Sequence, residues 1–539
     1  MQWIVDTRKV DTPGPSRYYQ DIIKDSHVLF IKRLEAYESR YDPEIRNLYF
    51  EDFYKLENLD LDALSSKYRE PNYTMQSALH GFNKYNVPQP KLEDDVWESA
   101  SDMTERMYLP YMRNSNIMSV EAVWAEINKN TSCGTFLSEK YRNKKDLYDK
   151  EGLERFNWFW DNYKKCTPIW KNSLKSELRS IEKFSAIDGK FDKIRVFTAS
   201  PVDLTIFEDM LFLDQNQKFY ESHLKTWSCV GLSKYAGGFQ KMKRKFKFKN
   251  YLSLDGKAYD SCLHNKHSDK NYKLRLRALN GSKLKDIIER VQYAEYHNKF
   301  SYVLLPTGDI VQKTTGNPSG CVNTVVDNTI GLTRLVFYII LKIAKEKGIE
   351  ITYEDIMDNV IGFIYGDDVL LNISDEWMTW LNPSSFIKES TLAGQPFESE
   401  DGSEDWVKEE DLFFLGHNFV QDQFYTFPAP KTDKILSSLR FGSCHPQIQM
   451  HYLRANALRM ESWANKQCRS ILQKYIEFLE KNFNKRIFQT FNLKNGETIT
   501  ENQLRSAYKD DYFCFCLYTG VESSAGNTRE EALSLLKYI

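Results

Sequence analysis

Two apolar strands meet at a pair of acids, and this arrangement restricts the folds open to the chain more than any other stretch. Val360-Ile361-Gly362-Phe363-Ile364 runs into Tyr365-Gly366-Asp367-Asp368 and leaves through Val369-Leu370-Leu371. Apolar runs on either side of a tight polar turn are the pattern of a β-hairpin. An isolated Asp-Asp is usually a solvated turn. Between strands that bury themselves, however, carboxylates are costly without a positive partner. The hairpin therefore calls for cations, and for further oxygen ligands to share them.

A second strand supplies a candidate ligand. Tyr251 to Leu254 is a short apolar run that ends in Asp255. Adjacent strands lie about 4.8 Å apart, so pairing of the two units would place Asp255, Asp367 and Asp368 around hard divalent cations, which prefer carboxylate oxygens. Phosphoryl transfer from a nucleotide uses two such ions. Between the acids, Asn323 to Ile343 is apolar with helical period, and Gly348 ends it. Ser319-Gly320 precedes it as a flexible loop, and Thr324 and Asn328, four residues apart, share one helix face.

These pieces resemble the palm motifs of the RNA-dependent RNA polymerases of positive-strand RNA viruses. Tyr365-Gly366-Asp367-Asp368 is similar to their signature turn, and Asp255-Gly256-Lys257-Ala258-Tyr259-Asp260 to their first palm motif. Gly316 to Asn328, with Ser319, Thr324 and Asn328 at matching offsets, resembles the second. The resemblance implies that Asp255, Asp367 and Asp368 bind Mg²⁺, with Mn²⁺ able to replace it. It further implies that Asp260, Ser319, Thr324 and Asn328 hold the ribose 2′-hydroxyl, the group that separates RNA from DNA.

Lys193-Ile194-Arg195, with Lys190 beside it, resembles the basic motif that contacts the incoming triphosphate, a role suited to the planar fork of Arg. Thr131-Ser132-Cys133-Gly134-Thr135-Phe136 resembles the loop that admits the template, which adds Thr131, Ser132 and Gly134 to Gly320, Tyr365 and Gly366 as expected template and primer contacts. Phe413 to Phe419 resembles the hairpin that grips the primer end. The family's fourth motif often supplies a Lys as general acid, yet Gly394 to Trp406 has none, and Lys388 and Lys408 only flank it. Together with Val230-Gly231-Leu232-Ser233-Lys234 and Gly237-Gly238, the order of motifs resembles the picornavirus-like supergroup, most of all the astrovirus polymerases.

The resemblance implies an α+β fold, a closed right hand of fingers, an antiparallel palm and a helical thumb. Its expected division is an N-terminal region and fingers over 1–245, palm over 246–272, a fingers insertion over 273–312, palm again over 313–428 and thumb over 429–539. Expected partners are template and nascent RNA, NTPs, a protein primer (VPg) and other viral replication proteins. The expected location is the host cytoplasm, at membrane-associated replication complexes. Two rivals are a reverse transcriptase and a catalytically silent RNA-binding scaffold. The first generally carries an aromatic residue where Asp260 stands, and the second would be expected to lose its acids.

Charge over the whole chain points to no partner, because 73 basic side chains oppose 75 acidic ones. Locally, Lys241 to Lys249 interleaves bases with Phe246 and Phe248, as a strand with one face toward phosphates would. Glu398 to Asp411, with Lys408 its only base, reads as an exposed connection. The nine cysteines have no regular framework and read as reduced core thiols. Cys514 and Cys516 are the same, and Cys262, His264 and His267 match no zinc spacing. The N-terminus lacks a signal peptide's apolar core, and Leu335 to Leu341 is too short to span a bilayer, so no transmembrane segment is expected.

Overall fold

The structure is a computed structural model that describes residues 14–23, 27–34, 46–85, 87, 90–399, 402–442, 447–493, 496–521 and 528–539. The opening residues, on which the signal-peptide expectation rests, and Cys444 lie outside them. The fold is mixed α+β, with helices and several separate sheets alternating along the chain.

At its centre is a four-stranded sheet of β1 (Asn250–Gly256), β2 (Val360–Tyr365), β3 (Asp368–Ile373) and β4 (Phe397–Glu398), in spatial order β4-β1-β3-β2. Every pairing is antiparallel. The hairpin read from the sequence is β2 and β3, with Tyr365 opposite Asp368 across the two-residue turn Gly366-Asp367. Gly366 takes φ +62°, the left-handed geometry that the first position of a type II′ turn requires.

Strand alternation gives the sheet two faces. Leu252, Leu254, Val369 and Leu371 enter a large apolar core with helices α1 (Asp94–Met112), α2 (Asn265–Ala278) and α3 (Thr324–Glu346). Tyr251, Phe363 and Leu370 pack on the other side against Phe246, Phe414 and Phe419. Asp255 and Asp368 fall at the sheet end on this second face, in phase with Tyr251 and Leu370.

Among the described residues, α3 alone is long and apolar enough to cross a membrane, and most of it is buried in the protein. The apolar segment is thus longer than Leu335 to Leu341 suggested. Its polar positions are satisfied internally: Thr329 and Thr333 bond carbonyls one turn back at 2.7 and 2.8 Å, and the fully buried Arg334 donates to Asn271 at 2.9 Å.

A five-stranded sheet is ordered Val28–Arg33, Asp309–Lys313, Tyr302–Leu304, Ile169–Leu174, Val196–Ala199. Segments distant in sequence therefore share it. After Pro430 the chain is mainly helical, and Thr432–Phe441, Ile448–Glu461 and Lys466–Ile487 enclose a separate core. Phe50, Phe53 and Tyr54 of the early helix Leu48–Leu56 enter that same core, and Asn47 donates to the Leu439 carbonyl at 3.1 Å. The N-terminal region thus reaches the C-terminal helices directly.

Two local expectations are corrected. Lys241 to Lys249 is no strand: Gly238–Lys243 is a helix, entered through Gly237 at φ +77°, and β1 begins only at Asn250. Phe246 and Phe248 mimic strand alternation, but Phe246 packs on Tyr251, Phe363 and Phe419 from a non-strand segment. Glu398 to Asp411 is more than a connection, because Glu398 belongs to the central sheet; residues 400 and 401 lie outside the described ones.

The described cysteines are buried and free of disulfides, Cys514 and Cys516 included. His267 bonds Gln395 at 2.8 Å and packs edge-on against Trp97, which accounts for that ring as part of the core.

Candidate active site

Asp255 is directly opposite Asp368 in the β1–β3 register. Residues opposed in this way project to the same face with their Cβ atoms about 5 Å apart. Asp367 occupies the turn between β2 and β3, and its carbonyl accepts from the Gly256 amide at 3.3 Å, which ties the turn to β1. On the other side, the Gly366 amide donates to Thr329 Oγ1 of α3 at 2.9 Å. The hairpin tip is thus fixed between strand and helix.

The Asp367 side chain is open to water at the hairpin tip, with protein gathered around it. That burial raises its pKa above the usual carboxylate range, and the Asp260 charge adds to the rise. The peptide backbone, Arg195 and Lys175 pull it back only in part. Among the described residues, no three His, Cys, Asp or Glu side chains are gathered closely enough to cage an ion as they stand. The donor chemistry nevertheless fits a hard divalent cation: carboxylate oxygens only, two of the groups in register and a third, Asp367, pushed toward protonation by burial and by the Asp260 charge.

Asp260 and Asn328, separate in sequence, meet beside these acids. Asn328 Nδ2 donates to Asp260 Oδ1 at 2.5 Å, and Asn317 Nδ2 donates to Asn328 Oδ1 at 2.9 Å. The Asn317 amide also donates to the Asp260 carbonyl at 2.7 Å. The amide of Asn328 is therefore held with its nitrogen toward Asp260. Thr324 is engaged by the loop before it. Its hydroxyl sits 2.8 Å from the Pro318 and Cys321 carbonyl oxygens, so its proton serves the preceding loop.

That loop is not the flexible one expected. Gly320 bridges Ala199 of the five-stranded sheet, and a Cβ on it would stand 2.2 Å from the Thr198 carbonyl oxygen. Ser319 Oγ accepts from the Thr198 amide at 3.3 Å. Only glycine permits so close a backbone approach, and the loop is pinned by it.

Arg195 and Lys193 project to solvent at the start of the strand Val196–Ala199. Sequence reasoning missed their companions. The Lys175 amide donates to the Arg195 carbonyl at 3.0 Å, and Glu177 pairs with Lys175 at 3.1 Å and with Arg179 and Arg195 at 3.5 Å each. One carboxylate thus gathers three cations, of which Arg195 and Lys175 act on Asp367. The signal was present in Lys175-Ser176-Glu177-Leu178-Arg179, a charged run just before the expected basic motif.

Thr131 and Ser132 are exposed, with Thr131 Oγ1 accepting from Lys144 at 2.5 Å, while Gly134 is buried against Ser200 and Pro201. Phe413–Phe414 and His417–Asp422 form the expected hairpin about Leu415-Gly416, joined to β1 by Ser253 Oγ donating to the Phe413 carbonyl at 2.8 Å. Tyr365, partly buried, stands opposite Asp368.

Acids in register at a sheet end, beside a helix that reads a neighbouring carboxylate, define a candidate centre for metal-assisted phosphoryl transfer. Residues 51–480 match the family described as viral RNA-dependent RNA polymerase, and the chain belongs to that family. It is similar to the genome polyprotein of zucchini yellow mosaic virus (strain Reunion Island), 29% identical over 83% of this chain and 14% of the polyprotein. It also resembles those of bean common mosaic necrosis virus (strain NL-3), 28% identical over 83% and 14%, and watermelon mosaic virus II (isolate USA), 26% identical over 83% and 43%. The chain thus spans about 14% of the first of these polyproteins.

These relatives are potyviral, which corrects the expected likeness to astrovirus polymerases. Glycines in the run behind that expectation answer to packing. Gly238, for example, lies where a Cβ would stand 1.9 Å from the Ser233 carbonyl oxygen.

Proposed function

We propose that this chain extends the 3′ end of an RNA by template-directed addition of ribonucleotides, and so replicates and transcribes a viral genome. The observation that carries the reading is the register of Asp255 with Asp368, beside Asp367 and the Asn328–Asp260 pair. Asp255, Asp367 and Asp368 are the residues that would hold Mg²⁺ or Mn²⁺. When bound, the ions lower the pKa of the primer 3′-hydroxyl and neutralise the departing pyrophosphate.

The chain's own groups supply the rest. Lys193 and Arg195, with Lys175 and Arg179 gathered on Glu177, meet the triphosphate. Asp260 and Asn328 hold the ribose 2′-hydroxyl, with Ser319 and Thr324 shaping the loop beneath. The primer 3′-oxygen attacks the α-phosphate in line, and pyrophosphate leaves. Thr131, Ser132, Gly134 and Gly320 border the template, while Tyr365, Gly366 and the Phe413–Phe419 hairpin border the primer end.

In this reading the molecule is a closed right hand, with fingers and N-terminal region over 1–245 and 273–312, palm over 246–272 and 313–428, and thumb over 429–539. Contact of Leu48–Leu56 with the C-terminal core supports closure. Partners are template and nascent RNA, NTPs, a protein primer and other viral replication proteins, in host cytoplasm at membrane-associated complexes.

The test is extension of a labelled primer–template with NTPs and Mg²⁺. Wild-type protein is expected to extend the primer and Asp367→Ala to leave it unextended. Equal extension by both would overturn the metal assignment, and preference for deoxynucleotides would favour a reverse transcriptase.

A further inference from the structure

The central sheet carries one more acid than the motifs account for. Glu398 of β4 is opposite Asp255 in register, on the side away from Asp368. Glu398, Asp255 and Asp368 therefore form a row of carboxylates across three adjacent strands. Like charges placed directly opposite on a sheet repel, and the row has a cation at one end. Lys257 Nζ lies 2.6 Å from Glu398 Oε2, both side chains about half exposed.

Lys257 is placed by backbone as well as by charge. Its amide donates to the Pro396 carbonyl at 2.9 Å, just before β4, while the preceding Gly256 amide donates to the Asp367 carbonyl. The residue is thus fixed between the turn that carries Asp367 and the strand that carries Glu398. Lys175 and Arg195 flank strands of the five-stranded sheet, so Lys257 offers the site a cation from the palm side. The stretch Gly394 to Trp406, where a lysine was sought, instead holds five acids and no base.

Resting on the polymerase reading, we propose that Lys257 contacts the β- and γ-phosphates of the incoming NTP, and that Glu398 is its stand-in anion, exchanged for the phosphates when the nucleotide binds. A half-exposed ion pair is weak enough to open, and an ammonium on a flexible four-carbon stem can turn from one anion to another without moving the backbone. Lys257 is then a substrate-contacting residue and Glu398 a positioning residue that competes with the nucleotide.

The experiment measures ATP affinity in a complex of full-length protein with a primer–template whose primer lacks the 3′-hydroxyl, opposite a templating U, so that no chemistry intervenes. Lys257→Met is expected to weaken ATP by about ten-fold to a hundred-fold, the loss of one charged hydrogen bond. Lys257→Arg should remain near wild type. Glu398→Gln should tighten ATP, and the gain should vanish when Lys257→Met is also present.

Wild-type affinity in Lys257→Met, or a Glu398→Gln effect that persists without Lys257, would overturn the proposal. Asp367→Ala, run in parallel for extension with an intact primer, separates the two readings. If that variant is dead while Lys257→Met binds ATP normally, only the Lys257 inference falls. If Asp367→Ala extends like wild type, the polymerase reading falls as well.

Discussion

Asn328 Nδ2 donates to Asp260 Oδ1 at 2.5 Å, across a gap of 68 residues in sequence. The bond leaves Asp260 with its second oxygen as an acceptor, and Asn317 keeps the Asn328 amide from flipping. A hydroxyl that donates to Asp260 would complete the set, and a ribose carries one where deoxyribose does not. Asn328→Ala is therefore expected to cut the preference for ribonucleotides over deoxynucleotides by about ten-fold or more, the worth of one charged hydrogen bond. Single-nucleotide incorporation with matched NTP and dNTP measures it, and an unchanged ratio would remove Asn328 from sugar selection.

Gly320 offers a steric prediction. With the Thr198 carbonyl oxygen 2.2 Å from any added Cβ, Gly320→Ala must push the Ser319 loop off the strand Val196–Ala199. Overpacking of this kind costs about 1–3 kcal/mol. The variant should melt several degrees lower and incorporate nucleotides more slowly than its stability loss alone explains, since Ser319 would be displaced with the loop. Melting and single-turnover rates on the same preparation check both parts.

The parts of the site that were legible lie in short local runs. The acidic hairpin shows in sequence because apolar strands flank it on both sides; Asp260 and Asn328 were reached through the resemblance of their motifs, Asn328 also through the helix face it shares with Thr324. Relations set by strand pairing were hidden: nothing local in Glu398 reveals that it lies opposite Asp255, or that Lys257 is its partner. The engagement of Thr324 was hidden as well, because sharing a helix face says nothing about the loop carbonyls that take its proton. Lys241 to Lys249 was misread because Phe-Lys alternation imitates a strand, whereas Gly237 had already started a helix.

Glu208 makes stability depend on pH. It is fully buried beneath the Ser319 loop, accepting from Asn298 Nδ2 at 2.5 Å and from Cys321 Sγ at 3.5 Å. Burial raises its pKa from 4.5 to about 8, and Asn298 and Cys321 offset this only in part. The folded chain thus holds this proton more tightly than the unfolded chain. The associated stability is full below about pH 4.5 and is lost as pH rises through about 8. Glu208→Gln mimics the protonated side chain, so its melting temperature should match wild type near pH 5 and exceed it near pH 8.5. Parallel melting curves across that range would show no divergence if Glu208 were already ionised in the fold.

Beneath Asn328, Asp327 and Arg275 form an ion pair removed from water. Arg275 Nε and a terminal nitrogen approach Asp327 Oδ1 at 2.8 and 2.7 Å, with the Arg275 side chain wholly buried and that of Asp327 6% exposed. Arg275 also donates to Gln215 and Asn216 at 3.0 Å, so its charge is held from several sides. Removing one member strands the other in a low-dielectric site, which costs about 3–5 kcal/mol. Replacing both with apolar side chains of similar volume is often neutral. Asp327→Ala should therefore lower the urea midpoint sharply, and Asp327→Leu with Arg275→Met should recover much of the loss. Because α3 carries Asp327 and Asn328 side by side, the double variant also separates support from chemistry. If it folds at wild-type stability yet discriminates poorly between ribose and deoxyribose, the ion pair aims Asn328; if discrimination is intact, the pair serves the helix alone.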